Sequence, residues 1–232
     1  ISLVGDAGYT DTIIDAQQTD NVIEFTKEEE SGDTIALEGF TITGGLNFRG
    51  AGITVLWADP TIRSCNIRYN ISSDINGGGI YLQRSNATIV DCIVANNTAL
   101  QQKGGGISFG NASNATVISC TVADNTAGCG IDEGGGGISV GTDSTATVVD
   151  TILWGNYIDC SPDPVPDQIL AVEGSVVTVD YSCIQDGWSG AGTGNTDQDP
   201  MFFGTEYHLM FGSSCIDSGD SDLTSSDIPG ED

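Results

Sequence analysis

The 232-residue chain carries 33 acidic and 6 basic residues, a formal charge of −27, so it lacks the basic surface that nucleic acid requires. No apolar run is long enough to span a bilayer, which argues against a membrane span in this segment. Hydrophobic residues make up 38%, enough for a core, and 32 glycines with only 6 prolines are typical of short strands joined by tight turns.

A recurring isoleucine marks successive units along the chain. Neighbouring markers are separated by 22 to 31 residues, a period that indicates a solenoid and predicts seven units. The markers are Ile1, Ile23, Ile53, Ile80, Ile107, Ile138 and Ile169.

Each unit is filled by short segments rich in Val, Ile and Thr, separated by Gly, Asn and Asp, without helical periodicity. About three such strands per unit would make one coil of a parallel β-helix. In the stretch GGGIYL, strand alternation directs Ile80 and Leu82 inward and Tyr81 toward solvent. The equivalent Ser108 and Ser139 are expected at the surface for the same reason.

Equal positions of successive coils lie about 4.8 Å apart in a β-helix and so form columns along its axis. The sequence predicts an inward thiol column and a ladder of amides, each amide nine residues after a threonine, that hydrogen-bond to one another along the axis. The thiol column is Cys65, Cys92 and Cys120, with Phe40 and Thr151 as its neighbours, and the amide ladder is Asn70, Asn97, Asn125 and Asn156.

Two further cysteines lie outside these columns. Cys129 and Cys160 each follow a threonine by thirteen residues, in the loops that lengthen their units to 31. Stacked coils would place them within the Cα distance that a disulfide tolerates, so we predict a Cys129–Cys160 bridge. Cys183 and Cys215 form a second candidate pair.

The elements GGGI(Y/S), T(I/V)xxC and NNTA, spread over residues 1–157, resemble those of bacterial right-handed parallel β-helix repeat proteins. The stretch VTVDYSCIQDGWSGAGTGNTDQDPMF, followed by EYHLMFGSSCIDSGD, is similar to the closing region of secreted β-helix proteins of the choice-of-anchor type. The resemblance implies a right-handed coil, export and surface attachment, and no shared catalytic activity.

With the repeats, this resemblance predicts an all-β fold with two parts. A single-stranded right-handed parallel β-helix of about seven coils is expected over residues 1–185, and an irregular closing region with an acidic tail over residues 186–232. The chain opens without methionine, so a signal peptide is expected outside this segment.

Oxygen-rich turns and glycosylation sequons are the candidate ligand and modification sites. No cofactor is required by the sequence, but calcium is a candidate counterion, with solvated acidic turns as the alternative interpretation. The candidate calcium ligands are Asp217, Asp220 and Asp222, or Asn195, Asp197 and Asp199. The glycosylation candidates are Asn86, Asn96, Asn111 and Asn114.

No catalytic residue is assigned from the sequence. The fold also occurs in carbohydrate-active enzymes, but fold alone does not establish activity. Among 33 acidic residues, some pair always meets a glycosidase separation, so a pair such as Asp91 and Asp150 carries little information. Arg63 belongs to the one basic cluster that a lyase could use, and His208 is interpreted as a packing residue of the closing region.

These observations favour a non-enzymatic, exported extracellular or cell-surface solenoid with a structural or adhesive role. A polysaccharide lyase, a glycoside hydrolase or a carbohydrate-binding module is the alternative, and a surface polysaccharide is a candidate partner. The strand at Ile1 would expose Ile1 and Leu3 of the core at one end, so we expect this end to be covered by residues outside this segment or by another chain. Cover by another chain would give a homopolymer built head to tail through the coil ends.

Overall fold

The computed structural model describes residues 2–5, 8–10, 12–26, 35–74, 76–101, 103–129 and 134–221, and these residues wind into short β-strands. In this part of the chain no helix is long and apolar enough to cross a membrane. The strands of the first half are β1 Ser2–Val4, β2 Ile13–Asp15, β3 Ile23–Thr26, β4 Ala36–Glu38, β5 Thr41–Thr43, β6 Leu46–Asn47, β7 Ile53–Leu56, β8 Thr61–Arg63, β9 Asn66–Arg68, β10 Ile71–Ser72, β11 Ile80–Gln83, β12 Thr88–Val90, β13 Ile93–Ala95 and β14 Thr98–Ala99. Those of the second half are β15 Ile107–Phe109, β16 Asn114–Ile118, β17 Thr121–Ala123, β18 Thr126–Ala127, β19 Ile138–Val140, β20 Thr145–Val149, β21 Ile152–Trp154, β22 Tyr157–Ile158, β23 Val165–Pro166, β24 Ile169–Ala171, β25 Val176–Asp180, β26 Cys183–Ile184, β27 Phe202–Phe203 and β28 His208–Leu209.

The strands stack into four sheets along the axis, which we call A, B, C and D. Each coil passes through them in the order C, A, B and D. Strand β23 pairs antiparallel with β22, and β27 and β28 form a separate antiparallel hairpin. Sheet A is β1-β4-β8-β12-β16-β20-β25, sheet B is β2-β5-β9-β13-β17-β21-β26, sheet C is β3-β7-β11-β15-β19-β24, and sheet D is β6-β10-β14-β18-β22-β23.

The predicted parallel β-helix is confirmed, and the marker isoleucines lie in register in sheet C from Ile23 to Ile169. Two details differ from expectation. A full coil has four strands rather than three, because the chain bends between sheets A and B at residues in the left-handed region, such as Asp91 at φ 52° and Ser119 at φ 51°.

The number of turns also differs, since the marker sheet holds six strands rather than seven. Strand β1 pairs with β4 in sheet A, so it does not begin a marker unit. Ile1 itself lies outside the described residues. The solenoid therefore has about six turns.

The core is a set of apolar columns inside the four sheets. In sheet B, the column of Ile67, Val94, Val122 and Leu153 is fully buried. Burying each such side chain contributes roughly 1.5–3 kcal/mol before the entropy of ordering is subtracted. The apolar side chains of each coil are thus covered by those of the neighbouring coils.

The outward residues of sheet C are not at the surface, so that expectation was wrong. Tyr81, Ser108 and Ser139 are all buried. The glycine turn before each strand folds back over it: a Cβ on Gly77, which has φ 79°, would lie 2.9 Å from the Cβ of Tyr81. Glycine is needed there for both its left-handed backbone and its lack of a side chain.

The inward thiols form one column, but it is not a purely apolar one. The backbone N–H of Cys65 donates to Cys92 Sγ at 3.5 Å, and the N–H of Cys92 donates to Cys120 Sγ at 3.4 Å. Thr151 and Ser182 continue the column, accepting the N–H of Cys120 at 3.3 Å and of Thr151 at 3.1 Å through their hydroxyls. Each side chain in the column therefore supplies an acceptor for a backbone donor at the bend.

Substituting Cys92 tests this column. Cys92→Asp places a carboxylate where the side chain is fully buried, and burial already raises the pKa of the Cys92 thiol well above its ordinary value. We expect a loss of roughly 3 kcal/mol or more in the free energy of unfolding, measured by chemical denaturation. Cys92→Ser is the control, because hydroxyls occupy the same column two coils away, and it should cost about 1 kcal/mol. Equal stability of the two variants would contradict the inward assignment.

Candidate functional site

The four asparagines predicted to stack lie in one buried ladder along the axis. Each carboxamide donates from Nδ2 to the Oδ1 of the next, at 3.0 Å for all three steps. The ladder consists of Asn70, Asn97, Asn125 and Asn156, all at most 1% exposed.

Each inner amide of the ladder makes all four hydrogen bonds of which a carboxamide is capable. Asn97 Nδ2 also donates to the Ile67 carbonyl at 2.9 Å, and Asn97 Oδ1 accepts both the N–H and the Nδ2 of Asn70, at 3.1 and 3.0 Å. Asn125 repeats this set with the Val94 carbonyl at 2.8 Å. The buried amides are thus satisfied without water, and each ties a coil to both of its neighbours.

The ladder ends on a residue that the sequence analysis missed. Asn156 Nδ2 donates to Gln168 Oε1 at 2.8 Å, and Gln168 Nε2 donates back to the Asn156 carbonyl at 3.0 Å. The position nine residues after Thr178 is Gly187, which cannot supply another amide. At the other end, Asn70 Oδ1 accepts the Gly45 N–H at 2.9 Å.

The glycine-rich turns make room for this ladder. A Cβ on Gly79 would lie 2.9 Å from Asn97 Nδ2, and a Cβ on Gly106 would lie 2.9 Å from Asn125 Nδ2. The last glycine of each GGG motif therefore packs directly on an asparagine. The repeated glycine motif and the repeated asparagine of the sequence therefore pack against each other.

A disulfide joins two neighbouring coils at the surface loops. The structure bonds Cys129 to Cys160, with a Cα–Cα distance of 5.0 Å. Such a bond fits an oxidising compartment. Cys183 and Cys215, the second candidate pair, are free thiols that line a common cavity.

The C-terminal part closes one end of the coil stack before it turns back. Ala191 and Thr196 pair in parallel with Thr178 of β25 and Cys183 of β26. Trp188 packs against the core cluster at the same end. The last strands of sheets A and B are therefore covered by this chain itself.

Residues 202–221, here called the C-terminal clasp, lie along the outer side of sheet B. Glu206 Oε1 accepts Arg68 Nη1 at 2.7 Å, and Glu206 Oε2 accepts Asn66 Nδ2 at 3.1 Å. Tyr207 Oη accepts Asn96 Nδ2 at 2.8 Å and donates to Asp124 Oδ2 at 2.8 Å.

The clasp reaches one coil further at its end. The Asp220 N–H donates to Asp150 Oδ1 at 2.7 Å, so the clasp contacts four consecutive coils. Between the polar contacts that the clasp makes, sheet B carries the small, buried side chains of Ala95 and Ala123. The sequence predicted only an irregular closing region here and gave no sign of this lateral contact.

The residues considered for catalysis differ in their surroundings. His208 is exposed and not packed, because its neighbours Tyr207 and Leu209 face the coils. Arg63 and Asp91 both have interaction partners. Asp150 receives the Asp220 N–H of the clasp.

The candidate calcium ligands are also engaged. Asn195 donates to the Val179 carbonyl at 2.6 Å and accepts the Ser182 N–H at 2.9 Å, which completes the thiol and hydroxyl column. Asp197 and Asp199 accept bonds from Gln198 Nε2 at 3.0 Å and the Met201 N–H at 2.7 Å. Across the residues that the structure describes, no three His, Cys, Asp or Glu side chains could hold a metal ion. Asp222, of the other candidate set, lies outside those residues.

The glycosylation candidates differ in accessibility. Asn86, Asn111 and Asn114 are exposed, although Asn86 Nδ2 donates to Asp59 Oδ1 at 3.1 Å. Asn96 is half-buried, and its Nδ2 is used by the clasp.

Replacing Tyr207 with phenylalanine tests the clasp. Burial and the hydrogen bond to Asp124 raise the pKa of Tyr207 well above its ordinary value. The stability that Tyr207 contributes is therefore present below its unfolded pKa of about 10 and is lost as the pH rises above that value. We expect Tyr207→Phe to cost about 1 kcal/mol at pH 8 and nothing resolvable well above pH 10, by urea unfolding. Tyr69→Phe, at a half-exposed tyrosine, is the control; a pH-independent difference for Tyr207→Phe would contradict the contact.

Comparison with known proteins identifies the scaffold. Residues 23–192 match the family described as right handed beta helix region. Neither the curated proteins nor the solved structures yield a match. The match covers more than half of the chain and most of the coil stack. The protein belongs to the right-handed β-helix family.

Proposed function

We propose that the protein is a non-enzymatic, exported structural or adhesive rod of the extracellular space or cell surface. The observation that carries this proposal is the satisfied amide ladder. Its polar side chains serve contacts between coils, and none of their hydrogen-bonding groups is left for a ligand. A scaffold organised in this way resists bending and unwinding.

Export is supported by two independent features. The Cys129–Cys160 bond fits an oxidising compartment, and the closing region resembles that of anchored, secreted β-helix proteins. The formal charge of −27 suits an exposed surface that must stay soluble. Surface attachment through an anchor of this type belongs to the same proposal.

Carbohydrate binding is the second candidate function, and exposed aromatic rings favour it. Trp57 and Tyr69 are 50% and 53% exposed, and they lie at different corners of one coil, after β7 and after β9. Tyr69 borders an open cavity of about 370 Å³ that Asp15, Gln17 and Thr43 also line. An aromatic platform beside polar groups is a common arrangement in ligand sites.

A polysaccharide screen separates these functions. We expect incubation with neutral and acidic polysaccharides, with calcium present, to release neither reducing ends nor unsaturated products. Release of product that Arg63→Ala or Asp91→Asn abolishes would overturn the non-enzymatic assignment. Binding without cleavage, lost in Tyr69→Ala and kept in Tyr207→Phe, would establish the second candidate instead.

Self-association through one end is a further part of the proposal. Leu3, Val4 and Ile13 are 50%, 53% and 58% exposed, although Leu3 is in register with the buried Leu37. A further β-strand would cover these side chains. The proposed occupant is a second copy of this chain, held head to tail, which gives a fibre rather than a closed dimer.

Leu3→Glu tests the end contact. Like charges oppose association, so we expect assembly to grow with protein concentration and with added salt. Leu3→Glu should abolish it without unfolding the coils, whereas Leu100→Glu, at a site 55% exposed on a middle coil and away from both ends, should leave it unchanged. Sedimentation velocity and electron micrographs provide the measurement. A wild-type monomer at every concentration would reject the fibre and leave the non-enzymatic rod intact.

A further inference from the structure

A cavity of about 210 Å³ lies where the C-terminal clasp crosses the bend between sheets A and B. Both free thiols outside the thiol column line it, Cys183 from the last coil and Cys215 from the clasp. Asp150 and Leu209 belong to the same lining. The cavity therefore joins two parts of the chain that are 32 residues apart in sequence.

The two thiols interact but differ in exposure. Cys183 is 3% exposed, and its Sγ donates to the Gln198 carbonyl at 3.1 Å. Cys215 is partly exposed and lines the same cavity as the Cys183 thiol. Burial, followed by the contact with Cys215, raises the pKa of Cys183 well above its ordinary value. Cys183 is thus kept protonated, while Cys215 is open to solvent.

The three cysteines of the thiol column offer a contrast. Their sulfurs accept backbone N–H groups or donate to carbonyls inside the core, and all three are at most 2% exposed. Cys120 also lines the cavity, but it is only 2% exposed and its Sγ donates to the Ile118 carbonyl. The pair differs from the column because one of its members, Cys215, is partly exposed.

We propose that Cys215 and Cys183 are an ordered dithiol pair whose oxidation to a disulfide fastens the clasp to the last coil. The oxidant is a low-molecular-weight disulfide. The Cys215 thiolate attacks one of its sulfurs, forms a mixed disulfide and releases one small thiol. Cys183 then gives up its proton and attacks the Cys215 sulfur, which releases the second small thiol. Two electrons pass from the protein thiols to the oxidant, and the two protons end on the released thiols.

The charges around the cavity select among oxidants. Asp197 and Asp199 act on Cys183 electrostatically, Asp150 lines the cavity, and the whole chain is strongly acidic. A cationic disulfide is attracted to this surface and an anionic one is repelled. Cystamine should therefore react faster than oxidised glutathione, with hydroxyethyl disulfide between them, and high salt should reduce the differences.

The test uses the full chain, reduced under conditions that leave Cys129–Cys160 intact, then treated with each disulfide and alkylated. Peptide mapping by mass should find Cys183 linked to Cys215 and the column cysteines alkylated only after denaturation. Limited proteolysis within the clasp should become slower after oxidation. An absent cross-link, or the reverse order of oxidants, would overturn the proposal.

Single variants assign the order of attack. Cys183→Ser should accumulate a stable mixed disulfide on Cys215, and Cys215→Ser should leave Cys183 unmodified. Equal modification of Cys183 in Cys215→Ser would contradict the assigned roles. If Cys183→Ser does not fold, the wild-type time course decides, because the mixed disulfide on Cys215 must then appear before the cross-link. Cys65→Ser, at a column cysteine that does not line the cavity, is the control and should react as the wild type does.

Discussion

The buried amide ladder is the constraint on which the remaining structure depends. A carboxamide in a dry core is tolerated only when its donors and acceptors are paired, and here each inner amide is paired with the coils on both sides. A coil that slipped by one residue would leave several buried groups unpaired at once. Although the spacing of the marker isoleucines varies from 27 residues before Ile107 to 31 after it, the strands keep their register.

Contacts between adjacent coils alone would give a chain that unwinds from its ends, because each repeat of a solenoid stabilises only its neighbours. Two features strengthen these contacts, one between neighbouring coils and one across several coils. The Cys129–Cys160 bond joins two coils covalently, and the clasp brings Glu206 to Arg68 across 138 residues of sequence. The clasp contacts four coils at once, so it raises the cost of opening any one of them. This arrangement suits the extracellular rod proposed above.

The sequence predicted the stacked columns and the Cys129–Cys160 bridge, and it missed contacts that depend on residues without a counterpart in other coils. Stacked positions such as Asn97 and Asn125 are visible because the period places identical residues above one another. Gln168 has no counterpart in other coils, and the Tyr207–Asp124 contact depends on how an irregular segment folds back. Burial of Tyr81 also escaped the alternation rule, because a glycine turn covers the outer face of its strand. Alternation of residues distinguishes the two faces of a strand, but it does not show which other part of the chain covers the outer face.

Hydrogen exchange of the side-chain amides tests the ladder most directly. In the folded protein, the Nδ2 protons of Asn97 and Asn125 should exchange with solvent only through large-scale unfolding of the coils, because both protons of each group are bonded in the dry core. The exposed amides of Asn111 and Asn114 provide the internal reference and should exchange within the dead time of the measurement. Protection of the ladder amides comparable to that of the slowest backbone amides is the predicted result. Exchange as fast as that of Asn111 and Asn114 would contradict the ladder and the account built on it.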